Sequence, residues 1–387
     1  MPSGMMRFHA TVACAAVLSC LVVFGCRPEG GSAGPGPRPR APRRVTPAQV
    51  AASPKLVKVE VFSAVGSGAP TPDSKNARAD QSVTLYAVVA AERGGRRALY
   101  GQVPDGGSRR AAVKAWDEAA WGPLTIRWFK VRTAKDNYSN WDGDQFRWAK
   151  LDYVEDAVPE WDDRWSVPPD VRTKWTHGSE NVGTARFKVE VSQWDENGRR
   201  QRVASPGREA TDQYGITEAV HRISIRPDDS FCGWLKALYG LPYIWGSDGP
   251  TAAKHQSERF VGCDCADFVI AAWRRCGHAS VKYTWTTGLR NLTTTLHKGA
   301  SLGADGEYHP SGAPAKAIAI GPAGVRPGDM LLFGRHVGAF SQDAGPDGQA
   351  NGVLDRHDLM IHALFKAPAQ EPIAEAYSGT FDVVRWR

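Results

Sequence analysis

The chain is 387 residues long, enough for two folded domains with extra segments, and its 42% apolar content is that of a globular protein. A formal charge of +7 is modest, and part of it sits in one N-terminal tail. With no basic helix and no zinc-type cysteine spacing, the sequence carries none of the marks of a nucleic-acid reader.

Residues 1–26 read as a targeting segment. Arg7 supplies a short positive start, and the run from Thr11 to Gly25 is almost wholly apolar yet short for a membrane span. It ends in Val-Phe-Gly-Cys (23–26) and so resembles a bacterial lipoprotein signal. That resemblance implies lipidation of Cys26 and a lipid-anchored place in the bacterial cell envelope, facing the periplasm or the cell surface. Val-Leu-Ser-Cys (17–20) is a poorer cut point, because apolar residues follow it; an ordinary secretion signal is the plainer alternative. Residues 27–54, rich in Gly, Pro and Ala, read as a tether. Arg38, Arg40, Arg43 and Arg44 within it read as solvated charge, with anionic lipid or wall polymer as the alternative partner.

Residues 55–227 read as a β-rich domain. Apolar and polar residues alternate over 55–65, 82–92, 124–132, 184–191 and 218–226, and Asp-Glu-Asn-Gly (195–198) marks a turn between two of these runs. Leu-Thr-Ile-Arg-Trp-Phe-Lys-Val (124–131) resembles the Trp-bearing inner strand of an immunoglobulin-like sandwich, although no cysteine pair pins it. Trp141, Trp148, Trp161, Trp165 and Trp175 are spread through a polar, acidic stretch. They read as a hydrophobic plug beneath a long insertion, the alternative being rings that stack on sugars or on a partner.

From residue 228 the pattern changes. Asp228, Asp229 and Ser230 cap a helix over 231–239 that stops at Gly240. Apolar residues at 265, 268, 269, 272, 273 and 276 then follow the rhythm of one helix face, with Asp264 as its cap, Arg274 and Arg275 in its last turn and Gly277 as its stop. Cys265 therefore begins a helix on its buried face, where the unsatisfied N–H groups favour a thiolate. A thiol nucleophile needs a base and a group to orient that base. Two histidines in strand-like settings, His336 and His362, suit those roles: His336 takes the thiol proton, and His362 fixes its tautomer. Residues 283–289 and the Gly/Ala-rich run to 324 read as loops over the cleft, 325–329 as a turn into a strand at 330–333, and 372–377 and 381–387 as closing strands. The domain reads as α+β, with helices on one side of a small antiparallel sheet.

In chain order, Pro-Tyr-Ile-Trp-Gly (242–246), Asp-Cys-Ala-Asp-Phe (264–268), Pro-Gly-Asp-Met-Leu-Leu-Phe (327–333), His-Val-Gly-Ala-Phe (336–340) and Met-Ile-His-Ala (360–363) resemble the motifs of NlpC-type cysteine peptidases of bacterial cell walls, over about residues 230–387. The resemblance implies a papain-like fold, a peptidoglycan stem peptide as substrate, cleavage of a D-glutamyl–diaminopimelate type bond, and no organic cofactor. It also implies that Tyr243 stands near the nucleophile and holds substrate or oxyanion, and that Asp264 helps recognise a free amine. The family's usual Asp-Cys-Ser-Gly-Phe is altered here. Ala266 removes a hydroxyl, and Asp267 adds a charge that raises the thiol pKa if it turns inward.

Between the two histidines, residues 347–358 place Asp347, Gln349, Asn351, Asp355 and Asp358 at positions 1, 3, 5, 9 and 12 of a loop with Gly352 at position 6. This resembles a calcium loop of the EF-hand or dockerin kind, with Asp where Glu is usual at position 12; a solvated Asp/Gly turn is the alternative. An oxidising envelope permits one disulfide among Cys232, Cys263 and Cys276, and the sequence does not choose the pair. Two other functions remain open: an amidase or acyltransferase using the same three residues, and a wall-binding lipoprotein without catalysis.

Overall fold

A computed structural model describes residues 46–104, 112–173, 180–195 and 197–387. The expected signal segment, Cys26, the arginine-bearing tail and Trp175 lie outside the described residues. From Val45 onward the chain forms one compact unit, so the boundary expected at residue 227 falls inside it, and Val131, Ile216 and Val220 share a core with Ile244 and Val261 across that point. No helix among the described residues is long and apolar enough to cross a membrane.

The first half holds α1 (Pro47–Ala52), β1 (Lys55–Val65), β2 (Lys75–Arg78), β3 (Val83–Arg93), β4 (Arg96–Tyr100), β5 (Val113–Lys114) and α2 (Glu118–Trp121). It continues through β6 (Thr125–Thr133), β7 (Asn137–Ser139), β8 (Trp141–Asp142), β9 (Gln145–Phe146), β10 (Tyr153–Ala157) and β11 (Ser166–Val167). It ends with β12 (Gly183–Trp194), β13 (Arg200–Ala204), β14 (Thr211–Asp212), β15 (Gly215–Ile216) and β16 (His221–Arg226). One sheet has the order β1-β3-β4-β5 with β11 beside β3; the other has the order β10-β6-β12-β16-β2 with β13 beside β12. Leu85 and Val89 of the first sheet and Ile126, Trp128, Phe187 and Ile223 of the second share one core. Trp128 is wholly buried and its indole N–H donates to the Arg164 carbonyl at 2.9 Å, which satisfies the polar end of a buried ring. The five expected strands all form. The expected tether is corrected at its end: Thr46 closes a capping box with Gln49, and α1 results, with Gln49 Nε2 donating to the carbonyls of Glu118 and Ala119.

The second half holds α3 (Phe231–Ala237), β17 (Tyr243–Trp245) and α4 (Cys265–Arg275). It goes on through β18 (Thr293–Leu302), β19 (Tyr308–His309), β20 (Met330–Phe333), β21 (Val337–Gln342), β22 (Leu359–His362), β23 (Ala369–Pro372), α5 (Ile373–Ala376) and β24 (Phe381–Trp386). Seven strands form an antiparallel sheet of order β19-β18-β24-β20-β21-β22-β23. Alternation along β20 sends Met330 and Leu332 toward α3 and α4, and Leu331 and Phe333 to the opposite face. Two expectations fail here. The stretch read as loop contains β18, because Thr293-Thr-Thr-Leu-His pairs with β24. The strand expected over 372–377 is α5, where Pro372 precedes the helix-favouring run Ile-Ala-Glu-Ala.

The halves are stitched together. β7 of the first pairs in parallel with β17 of the second, Tyr243 opposite Asn137 and Trp245 opposite Ser139. The buried Arg186 guanidinium on β12 donates to the carbonyls of Phe260 at 2.7 Å and Arg259 at 2.9 Å, on the turn that leads to α4.

Candidate active site

Cys265 is the first residue of α4, as expected, and Asp264 caps the helix by accepting the Asp267 N–H at 2.9 Å. Cys265 is buried, and the backbone N–H of Val337, the residue after His336, acts on its sulfur. The expected resting thiolate is corrected. Burial first, then the Asp264 carboxylate, push the thiol far above its ordinary range, against the pull of the Val337 and Ala266 N–H groups. Asp267 does turn inward: it is 5% exposed, accepts the Ser247 hydroxyl, lies 3.5 Å from His255 Nε2, and adds to the upward push on Cys265. Burial, with Asp264 beside it, raises its own carboxyl well above the usual range.

The histidines meet. His336, wholly buried just before β21, places its Nε2 3.0 Å from Nδ1 of His362 at the end of β22. Gly338 lies opposite His362 in the ladder, and a Cβ there would come within 3.0 Å of the His362 Cβ and 2.3 Å of Met360 Cε; only glycine leaves that room. The line continues to a residue no motif announced. His362 Nε2 lies 3.0 Å from Glu371 Oε2 on β23, and Lys366 holds the other Glu371 oxygen. The hydrogen bond to His362 and the Lys366 charge hold the Glu371 carboxyl down at about 2, although burial opposes them.

An ionised Glu371 can only accept, so His362 Nε2 carries a proton. His336 gives its Nε2 to this line and leaves its Nδ1 outside it. That nitrogen is buried and has no protein partner among the described residues. Burial, reinforced by His362, lowers the His336 pKa to about 3, so the ring is neutral at ordinary pH. The resting pair is thus a neutral thiol and a neutral imidazole.

Tyr243 is also wholly buried, and its hydroxyl has no partner among the described residues. Burial, then the Cys265 charge, raises its pKa and keeps it protonated, so the hydroxyl remains a donor. Burial lifts Asp264 to about 6, against the pull of the Asp267 N–H that it accepts and of the Ala266 and Gly246 N–H groups. Its carboxylate is therefore spent largely on the helix cap, which competes with the expected recognition of an amine. Next to His336 opens a cavity of about 520 Å³ lined by Asn137, Tyr138, Trp245, Arg335, Phe365 and Tyr377 among others. The Tyr377 ring is 4.9 Å from His336, and Phe365 stands edge-on to Tyr243 at 5.4 Å.

The loop at 347–358 is not flanked by helices, and its oxygens face the backbone. Asp347 accepts the Gln349 N–H, Asn351 Oδ1 the Val353 N–H, Asp355 the His357 N–H and Asp358 the Ala344 and Asp355 N–H groups. Asp347, Asp355 and Asp358 do not bring their carboxylate oxygens within 4.8 Å of one another in this structure. Among the described residues the acidic or histidine group within 4.8 Å is instead Asp305, Glu307 and His309. Cys232, Cys263, Cys265 and Cys276 are all free thiols, so the permitted disulfide is not formed.

The chain matches no protein-family model, no curated protein and no solved structure.

Proposed function

We propose that this chain is a cysteine hydrolase of the bacterial cell envelope that cleaves an amide bond in peptidoglycan stem peptides, at a D-glutamyl–diaminopimelate type linkage. In this reading the C-terminal half is a papain-like domain of the NlpC type, the N-terminal half an immunoglobulin-like sandwich, and Cys26 the lipid anchor. One observation carries it: the line Glu371–His362–His336 ends in a buried imidazole nitrogen with no partner among the described residues, and the N–H of the next residue, Val337, pulls the Cys265 thiol pKa down.

The chemistry is acyl transfer. The Cys265 sulfur attacks the amide carbonyl as its proton passes to His336 Nδ1. The imidazolium that forms is steadied through His362 by the Glu371 carboxylate. The Cys265 backbone N–H and the Tyr243 hydroxyl stand where an oxyanion develops. Collapse breaks the C–N bond, and the leaving amine takes the proton from His336. Water, activated by the same nitrogen, then splits the thioester and returns the thiol. The proton moves only as the attack occurs, which suits a neutral pair enclosed away from water.

The deciding experiment is digestion of purified peptidoglycan by the wild type and Cys265→Ala, with fragments identified by mass. The wild type should release stem-peptide fragments with a new amino terminus at diaminopimelate, and Cys265→Ala none. Equal release by both proteins, or none by the wild type, would sink the reading.

A further inference from the structure

The tryptophans of the first half divide into two groups. Trp161 is buried beneath the sandwich, edge-on to Trp128 at 6.4 Å and tilted against Phe187 at 6.0 Å, and Trp165 packs on the same core. Trp141 does the opposite. It is 44% exposed on the β8–β9 hairpin, with Phe146 opposite it at 38%, and Trp245 beside them is 36% exposed. Large apolar side chains left in water side by side mark an interaction surface.

Trp141 and its neighbours form a row. Trp141 meets Phe146 at 5.6 Å, Phe146 meets Trp148 at 4.9 Å and Trp148 meets Tyr214 at 4.8 Å, each nearly perpendicular to the next. The row is rigid. The buried Asn140 donates through Nδ2 to the Gly246 carbonyl and to Gln256, both at 2.9 Å, and its N–H donates to the Trp245 carbonyl at 2.9 Å. Its carbonyl accepts the Arg147 N–H at 2.7 Å, and its Oδ1 accepts the Ala149 N–H at 2.9 Å. The Trp141 indole lies so close to Gly246 that a Cβ there would come within 2.4 Å of Nε1. Polar Asn137, Ser139, Asp142 and Gln145 alternate with the rings.

The row begins at the cavity that Arg335, Phe365 and Tyr377 also line. Tyr138, Ser139 and Trp245 line the cavity beside His336, and Tyr243, next to the nucleophile, shares β17 with Trp245. Trp141 follows Asn137, opposite Tyr243, by four residues with a bend at Asn140, so at most about 14 Å separates them, a span of about four extended peptide units.

We infer that the exposed Trp141–Phe146 row, continued by Trp245, is a platform for the sugar rings of a glycan whose attached peptide enters the catalytic cavity. The inference rests on the proposed hydrolase reading and narrows its substrate to a glycan-linked stem peptide. An aromatic face takes the C–H face of a sugar ring, and the interleaved amides, hydroxyl and carboxylate take its hydroxyls. A fixed platform loses little freedom on binding, which favours affinity.

Two measurements test this. The wild type is assayed on a disaccharide-linked stem peptide and on the same peptide without sugar. The linked substrate should have a kcat/KM at least 10-fold higher, chiefly through KM, and Trp141→Ala should bring the ratio down to about one. Equal kcat/KM for the two substrates, or a ratio untouched by Trp141→Ala, overturns the inference. The Cys265→Ala protein is also titrated with an N-acetylglucosamine oligomer that carries no peptide. Saturable quenching of tryptophan fluorescence, lost when Trp141→Ala is added, supports it; no quenching, or quenching that survives, overturns it, as does self-association that Trp141→Ala abolishes. Should the wild type cleave neither substrate, the hydrolase reading falls, and the titration still decides the platform.

Discussion

Two buried polar clusters flank Cys265, and each contains carboxylate and histidine. On the strand side, Glu371, His362 and His336 stand in line, and the acid is held down at about 2 by the groups it bonds. At the helix start, Asp267 touches Ser247 and lies near His255; burial raises the acid and lowers that histidine to about 4. The residue types match but the outcomes differ, because only Glu371 has both a cation and a donor on its oxygens. The first cluster keeps a charge ready to meet an imidazolium. The second takes up charge reluctantly, and where Asp267 does ionise it presses the thiol to stay protonated.

The contrast can be broken at several points. His336→Ala removes the base and should lower kcat by about 10³-fold while the fold survives, as circular dichroism would show; retained activity would end the strand-side role. Glu371→Gln should cost about 10²-fold in kcat with little change in KM, because a neutral amide no longer fixes the tautomer or steadies the imidazolium. Glu371→Asp should recover part of that loss, which a purely structural role would not predict.

pH sharpens the comparison next. Buried His336, His255 and His221 have pKa values lowered to about 3, 4 and 4, below the ordinary 6.5. Between these values and 6.5 the unfolded chain binds more protons, so their contribution is full above 6.5 and is lost as pH falls toward 3. The urea midpoint should decline steadily from pH 6.5 downward, and a flat profile between 6.5 and 4 would contradict the burial. Over the same range His336 stays neutral, so kcat/KM measured on folded protein should hold its value well below pH 6. The smallest effect belongs to the helix side. Asp267→Asn should move the pH profile of Cys265 alkylation down by about one unit or less, by removing a like charge.

Much of this was legible in the sequence. The apolar alternation of β1 and β6 and the caps of α4 are local patterns, and local patterns survive folding. Cys265 starts its helix and His336 meets His362 as the motifs around each imply. Glu371 was not legible: it lies in Ala-Gln-Glu-Pro without a motif, and its role exists only because β23 pairs with β22. β18 hid for a similar reason, since its partner β24 is about 80 residues away in sequence, beyond the reach of local pattern. The protonated thiol was misread because the helix dipole is visible in sequence while desolvation is not.

The parallel pairing of β7 with β17 has a practical corollary. A chain trimmed to begin at residue 228 would retain Cys265, His336, His362 and Glu371, yet it would lose the strand that floors the cleft and the guanidinium that braces the approach to the nucleophile. Such a fragment would have an opened cleft rather than a smaller one, and grafting it onto another partner would require carrying the aromatic hairpin along.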